Sequence, residues 1–296
     1  MDETNDVYWR SLLFVPANNA RYAEKARSSS ADAIILDLED AVLTEHKAEA
    51  RSLVRGLAAD LRTATRDVVV RINRPLPLAI RDIEAAVSEN VKAIMVAKAA
   101  SAEHLAFLIE VVEEQETALG LRVGHTKIVP LVETAAAVAR LEEIASSERV
   151  VAIVCGDEDL AADLGCDPSS ETLVALKYRV VLAAAQAGIR PLGMLGSIAD
   201  FRDTEKYSCS VRRSSAAGLQ GTLCIHPIQV DIANQGFLPS EEQLANARRV
   251  VEAAEAAFRN GAGAVGLDGK MIDAPVLRRA KKVLEAEDIY GSRDPK

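Results

Sequence analysis

Two acids in this chain stand where buried apolar runs stop: Glu133 in PLVET and Asp159 in GDEDL. Read as residues at the mouths of buried strands, they bring two hard oxygen ligands to one site, which suits Mg²⁺ or Mn²⁺. Taken singly, either carboxylate could serve as a helix N-cap or a solvated loop charge. The pair gains weight from its surroundings. Asp37, Glu39 and Asp40 follow one apolar run, Arg71 and Asn73 end another, Lys98 ends a third and His226 a fourth. The opposite ends of such runs, in ADAII, RDVVV and NVKAI, carry ordinary surface charges. Polar groups gathered at one kind of strand end are the mark of an enzyme rim, where rigid strand ends aim side chains at one place.

The elements that must position these groups are legible as an alternation. Short β-branched runs at Ser11–Val15, Ala33–Leu36, Val68–Ile72, Ala93–Val96, Lys127–Val132, Val150–Val154, Ile189–Gly193 and Thr222–Ile225 read as eight strands. Amphipathic stretches lie between them, at Asn19–Ser29, Glu45–Leu61, Leu78–Glu89, Ala102–Leu119, Ala135–Ser146, Glu171–Ala187 and Thr204–Ala217. Near-continuous apolar strands are buried on both faces, so a parallel sheet covered by helices is expected, and eight units match closure into a (β/α)₈ TIM barrel. An open doubly wound sheet is the alternative, but LFVPANN after the first strand is no GxGxxG phosphate-binding fingerprint. The expected organisation is a barrel over residues 1–235 and a C-terminal helical extension over 236–296. The extension holds a helix near Ser240–Asn260, a glycine-rich turn and a last helix near Ala274–Glu287.

Composition narrows the function. At 296 residues the chain can bury a large core as one barrel. Its net charge of -9 disfavours nucleic-acid binding. No apolar run approaches the roughly 20 residues of a membrane span, and MDETNDVYW is acidic where a signal peptide is basic. Cys155, Cys166, Cys209 and Cys224 lack the paired short spacing of zinc or redox motifs, which fits reduced thiols and a cytoplasmic protein with small-molecule substrates.

The segments RSLLFVP, ADAIILDLEDAV followed by KAEAR, VRIN, PLVET, GDEDLA, IHPIQ and GKMIDAP occur in order over nearly the whole length. In them the chain resembles the HpcH/HpaI aldolase and citrate lyase β-subunit superfamily, more narrowly its citrate-lyase-β-like branch, which includes malyl-CoA and citramalyl-CoA lyases. The resemblance implies a (β/α)₈ barrel whose extension packs on a neighbouring subunit, in a homotrimer or homohexamer. It implies Glu133 and Asp159 as the two protein ligands of Mg²⁺, with water and substrate oxygens completing the shell. Glu39 and Asp40 match an acidic pair beside the metal that orients its waters. Arg71 matches an arginine that meets a substrate carboxylate or carbonyl oxygen, an internal salt bridge to Glu39 or Asp37 being its structural alternative. Asp273 matches an acid that relatives insert into a neighbour's site as general acid or base, against the alternative of a helix N-cap before Pro275. Phe14 and Lys25 match positions that hold CoA.

The activity so implied is Mg²⁺-dependent cleavage or formation of a carbon–carbon bond in a β-hydroxy acyl thioester of malyl-, citramalyl- or citryl-CoA type, with a 2-oxo acid as partner. Condensation or thioester hydrolysis on the same site is an alternative. No Schiff base is needed, and Lys98 among several acids should stay protonated. The chain departs from the family where Asn19 replaces an arginine, Thr222 a lysine and Ala97 a proline, and where strand seven ends PLGMLGS. Two lost cations weaken a polyanion site, which keeps two further readings open: a class II aldolase for free hydroxy-oxo acids, and a non-catalytic acyl-carrier-binding subunit of a lyase complex.

Overall fold

The computed structural model describes residues 7–199, 201–259 and 261–291. The chain divides into two compact units, Met1–Phe237 and Leu238–Lys296. In the first, eight parallel strands run β1 (Ser11–Pro16), β2 (Ala33–Asp37), β3 (Asp67–Ile72), β4 (Ala93–Val96), β5 (Lys127–Val132), β6 (Ala152–Cys155), β7 (Arg190–Leu192) and β8 (Thr222–Cys224). The sheet order β7-β6-β5-β4-β3-β2-β1-β8 brings first and last strands together. Two backbone bonds knit the remaining seam, from Gln220 N–H to Pro191 O at 2.9 Å and from Gly193 N–H to Gly221 O at 2.8 Å. The result is the nearly closed (β/α)₈ barrel that the alternation of runs predicts.

The helices are α1 (Ala20–Arg27), α2 (Lys47–Leu61), α3 (Leu76–Ala86), α4 (Ala102–Ala118), α5 (Ala135–Val138), α6 (Leu141–Ala145), α7 (Asp157–Leu164), α8 (Glu171–Ala187), α9 (Thr204–Ala216) and α10 (Pro227–Gly236). Two differ from expectation by their presence. α7 and α10 begin at once after β6 and β8, so Asp159 lies in the first turn of a helix and not in a loop. The single helix expected at Ala135–Ser146 is two, broken at Ala139 and Arg140.

Side chains alternate between barrel interior and outer layer with the strand period of two. Leu12, Ile35, Val69, Met95, Val129 and Leu131 cluster inside the barrel, while their neighbours Leu13, Ile34, Val68, Ile94, Ile128 and Val132 join the layer shared with the helices. Burying each such aliphatic side chain contributes roughly 1.5–3 kcal/mol. The same parity fixes the site: two residues beyond Ile35, Val69 and Leu131 come Asp37, Arg71 and Glu133, inward-facing at the strands' C-terminal ends. At the opposite end the barrel is closed by buried Trp9 and by Arg10, whose guanidinium pairs with buried Asp32 at 2.9 Å.

The second unit holds α11 (Glu241–Arg259), an antiparallel pair β9 (Val265–Leu267) and β10 (Lys270–Ile272), and α12 (Ala274–Gly291). Its own small core joins Ala247, Val250 and Ala254 of α11 to Ile272 and Ala280. Among the described residues no helix is long and apolar enough to cross a membrane.

Candidate active site

Glu133 is the deepest of the acids. It follows β5 and is only 5% exposed. Its Oε2 accepts the backbone N–H of Lys98 at 2.7 Å. Its other face lies on Gly156: a β-carbon there would stand 2.5 Å from Glu133 Cγ and 2.6 Å from Oε1. Burial pushes the Glu133 carboxyl up to about 7, and the negative charges of Asp159 and Glu39 act in the same direction against the Lys98 N–H.

Asp159 comes from the first turn of α7, whose N-cap is Gly156. Asp157, Glu158 and Asp159 all occupy that turn, where the helix dipole favours negative charge. Asp159 Oδ2 lies 3.2 Å from Lys98 Nζ. The start of α7 is fixed by Lys177 of α8, which is buried and reaches Asp157 Oδ1 at 2.8 Å and the carbonyls of Met194 and Gly196. Burial pushes Asp157 up to about 6 in spite of that ammonium.

Arg71 and Asp37 are register partners on neighbouring parallel strands and share inward parity. Their pairing follows directly: Arg71 Nε and Nη2 each donate to an Asp37 oxygen at 2.7 Å. Asp37 also accepts the N–H groups of Glu39 and Ala41, so it anchors the β2 loop and the arginine together. Arg71 Nη1 turns to Glu39 Oε2 at 3.1 Å and Asp40 Oδ2 at 3.7 Å. The Glu39 contact is an ion pair without hydrogen-bond alignment, since buried Oε2 has no directed donor. Burial opposes the Arg71 charge, but Asp37, Glu39 and Asp40 more than offset it and hold the guanidinium above its ordinary pKa. Burial likewise raises Glu39, with Arg71 acting against it. The Phe14 ring lies under the guanidinium, 4.7 Å from Cζ to centroid. Lys47 ties the loop down from behind by donating to the Leu38 and Glu39 carbonyls and to Asn73 Oδ1.

A cavity of about 870 Å³ opens over these groups, lined among others by Phe14, Lys25, Asp40, Arg71, Glu133 and Asp159. Glu39 joins the cluster through Arg71 and Lys98. Asp40 caps no helix; it is largely exposed. Asp273 lies in the second unit, where its carboxylate accepts Val276 N–H at 3.2 Å in the first turn of α12. His226 is the N-cap of α10 and stacks on Phe201 at 4.7 Å. Asn19 is spent on capping α1, and Thr222 is fully buried. Sequence reasoning missed Gly156, Lys47, the Lys177–Asp157 pair and the amide of Lys98. The adjacent Gly and Asp in CGDEDL were the one local hint.

The residues present fit a hard divalent ion. Because Gly156 has no side chain, the Glu133 carboxylate can lie buried against it with one directed partner, and that carboxylate and Asp159 border the same cavity. Among the described residues no three His, Cys, Asp or Glu side chains form a complete metal cage. An ion held here would take its remaining ligands from water and substrate, a pattern Mg²⁺ accepts.

The family model described as HpcH/HpaI aldolase/citrate lyase matches residues 10–227. The citrate lyase subunit beta of Escherichia coli K12 is 32% identical over 289 residues, covering 96% of this chain and 95% of that protein. The L-malyl-CoA/beta-methylmalyl-CoA lyase of Cereibacter sphaeroides is 31% identical over 308 residues, 96% of each. Among solved structures, the CitE protein of Mycobacterium tuberculosis in complex with magnesium, acetoacetate and coenzyme A superposes with a TM-score of 0.75 at 31% identity, covering 95% of this chain and 99% of that one.

Proposed function

This chain belongs to the HpcH/HpaI aldolase/citrate lyase family, and from that premise we propose that it is a Mg²⁺-dependent carbon–carbon lyase acting on a β-hydroxy acyl-CoA thioester, with a 2-oxo acid as the second product or substrate. One observation carries the reading: Glu133, packed against Gly156 and held by the Lys98 N–H, borders the same cavity as Asp159 and Arg71. The CitE protein whose structure includes magnesium and coenzyme A, and the malyl-CoA lyases, support the metal and the thioester.

Glu133 and Asp159 would hold the ion, with Mn²⁺ an effective substitute. Bound there, the ion supplies Lewis acidity at the substrate oxygen where negative charge develops. In the cleavage direction the β-hydroxyl loses its proton to a base and the adjacent carbon–carbon bond breaks. The electron pair passes to the thioester as an enolate, and the hydroxyl carbon becomes the carbonyl of the 2-oxo acid. Arg71 offsets that charge through Nη1, which Asp37 does not use and which Glu39 and Asp40 neighbour in this structure, and Asp37 keeps the fork from turning. Phe14 supports the guanidinium from below. Glu39 and Asp40 orient water beside the ion, and Lys25 takes part of the acyl carrier at the mouth. Asp273 of a second copy in a homotrimer or homohexamer is the proposed acid–base group at the enolate carbon. The four cysteines are free, which suits the cytoplasm.

A second reading, aldol cleavage of free hydroxy-oxo acids, draws on Asn19 and Thr222: neither supplies the positive charge that a CoA phosphate attracts. Incubation of glyoxylate, pyruvate or oxaloacetate with acetyl-CoA, propionyl-CoA or no thioester separates the two. Mg²⁺-dependent products only with a thioester support the lyase. Turnover only of thioester-free hydroxy-oxo acids would replace it with the second reading.

A further inference from the structure

Lys98 is a charged residue of the site that the mechanism leaves unused, and its backbone is unusual. It follows β4 at φ 49°, the left-handed region that residues with a β-carbon rarely enter. Such a conformation persists where surrounding contacts impose it, and it gathers at functional sites. Here the contacts are explicit. The Lys98 N–H donates to Glu133 Oε2 at 2.7 Å, while its Nζ lies 3.2 Å from Glu39 Oε1 and 3.2 Å from Asp159 Oδ2. One residue thus touches three carboxylates delivered by the segments that follow three other strands, β2, β5 and β6.

The two ends of the residue have different consequences. The amide is fixed in the backbone and keeps Glu133 in place whatever else is bound. The ammonium stands on an oxygen of Asp159, the carboxylate that a divalent ion beside Glu133 must use. An ion that takes Asp159 Oδ2 must displace the ammonium from it, and one that takes Oδ1 meets that positive charge a few ångströms away. The side chain is about one-third exposed on a flexible stem, so it can swing away at little cost.

We infer that the Lys98 ammonium is the built-in counter-ion of this carboxylate cluster: it holds Asp159 while no divalent ion is bound and is displaced from it when the ion enters. The inference rests on the reading of Glu133 and Asp159 as the ion's ligands and adds a competitor to it. Its consequence has a sign opposite to that of a supporting role. A lysine that merely shapes the site would weaken metal binding when removed. A resident cation that must be displaced, and whose charge repels the incoming ion, would strengthen it.

Calorimetric titration of the full chain with MgCl₂, without substrate, decides between them. The samples are the natural chain, Lys98→Met, Lys98→Gln and Glu133→Ala, each checked for folding by circular dichroism. Both Lys98 variants should bind Mg²⁺ about tenfold more tightly than the natural chain, since one competing positive charge a few ångströms away is gone. Without metal they should melt at a lower temperature, and saturating Mg²⁺ should raise their Tm by more than it raises that of the natural chain. Should Lys98→Met not fold, Lys98→Gln carries the test with a polar side chain. Binding that depends on Glu133 but is unchanged or weaker in the folded Lys98 variants overturns this inference alone. Absence of Mg²⁺ binding in the natural chain, or full binding in Glu133→Ala, overturns the metal reading beneath it.

Discussion

Gly156 and Glu133 are in such close contact that the structure has no room for a methyl group between them: a β-carbon on Gly156 would lie 2.5 Å from Glu133 Cγ. The glycine φ is -87°, so the backbone tolerates any residue and size alone decides. Gly156→Ala should therefore displace the Glu133 carboxylate. The expected outcome is a loss of about 1–3 kcal/mol of stability from overpacking and a fall in Mg²⁺ affinity, read by urea unfolding and calorimetry on the same sample.

The Arg71–Asp37 pair is bidentate, and both side chains are shielded from water. Lysine cannot reproduce the fork. Arg71→Lys should lower kcat by about 10²- to 10³-fold, the range for removal of one charge-stabilising donor. The Kd for Mg²⁺ should change little, because neither expected ligand is moved. Steady-state kinetics beside calorimetry checks both halves.

Lys177 and Asp157 form a buried pair that positions the first turn of α7. Lys177→Met leaves the Asp157 carboxylate buried without its cation and should cost about 3–5 kcal/mol, whereas Lys177→Met with Asp157→Leu should recover most of that loss. Urea midpoints of the two variants measure it. An equal loss in both would show that the cost comes from packing.

With Glu133 as a ligand of the ion, as proposed, the proton and the metal compete for its carboxylate. Its folded pKa, about 7, lies above the ordinary 4.5, so the folded chain binds the proton more tightly than the unfolded one. The metal-free protein should be most favoured by this group below pH 4.5, and the contribution should be lost as pH rises through about 7. Mg²⁺ affinity should do the reverse and rise with pH up to about 7. In Glu133→Gln the metal-free Tm should lose this component of its pH dependence.

Much of this was legible in the sequence because parallel strands buried on both faces are apolar runs, and each of the eight runs became a strand. Glu133, Arg71 and Asp37 stood out since the inward parity of such a run continues into its polar end. α7 and α10 escaped notice because DEDLAADL and PIQVDIANQG begin after only one and two intervening residues from their strands, and the β9–β10 pair because three-residue strands show no period. The contacts that finish the site are long-range in sequence. Nothing near Gly156 announces a side chain 23 positions away, nor does Lys177 announce Asp157, 20 positions before it. Asp273, read as a shared acid or a helix cap, does accept a bond from the first turn of α12, and a second role in a neighbouring subunit is part of the proposal.

The central claim is that one divalent ion sits between Glu133 and Asp159, and the most direct measurement is anomalous scattering from crystals grown with Mn²⁺. A single strong peak about 2.0–2.3 Å from an oxygen of each carboxylate is the predicted result. A fully occupied Mn²⁺ elsewhere in the cavity, touching neither, would contradict it.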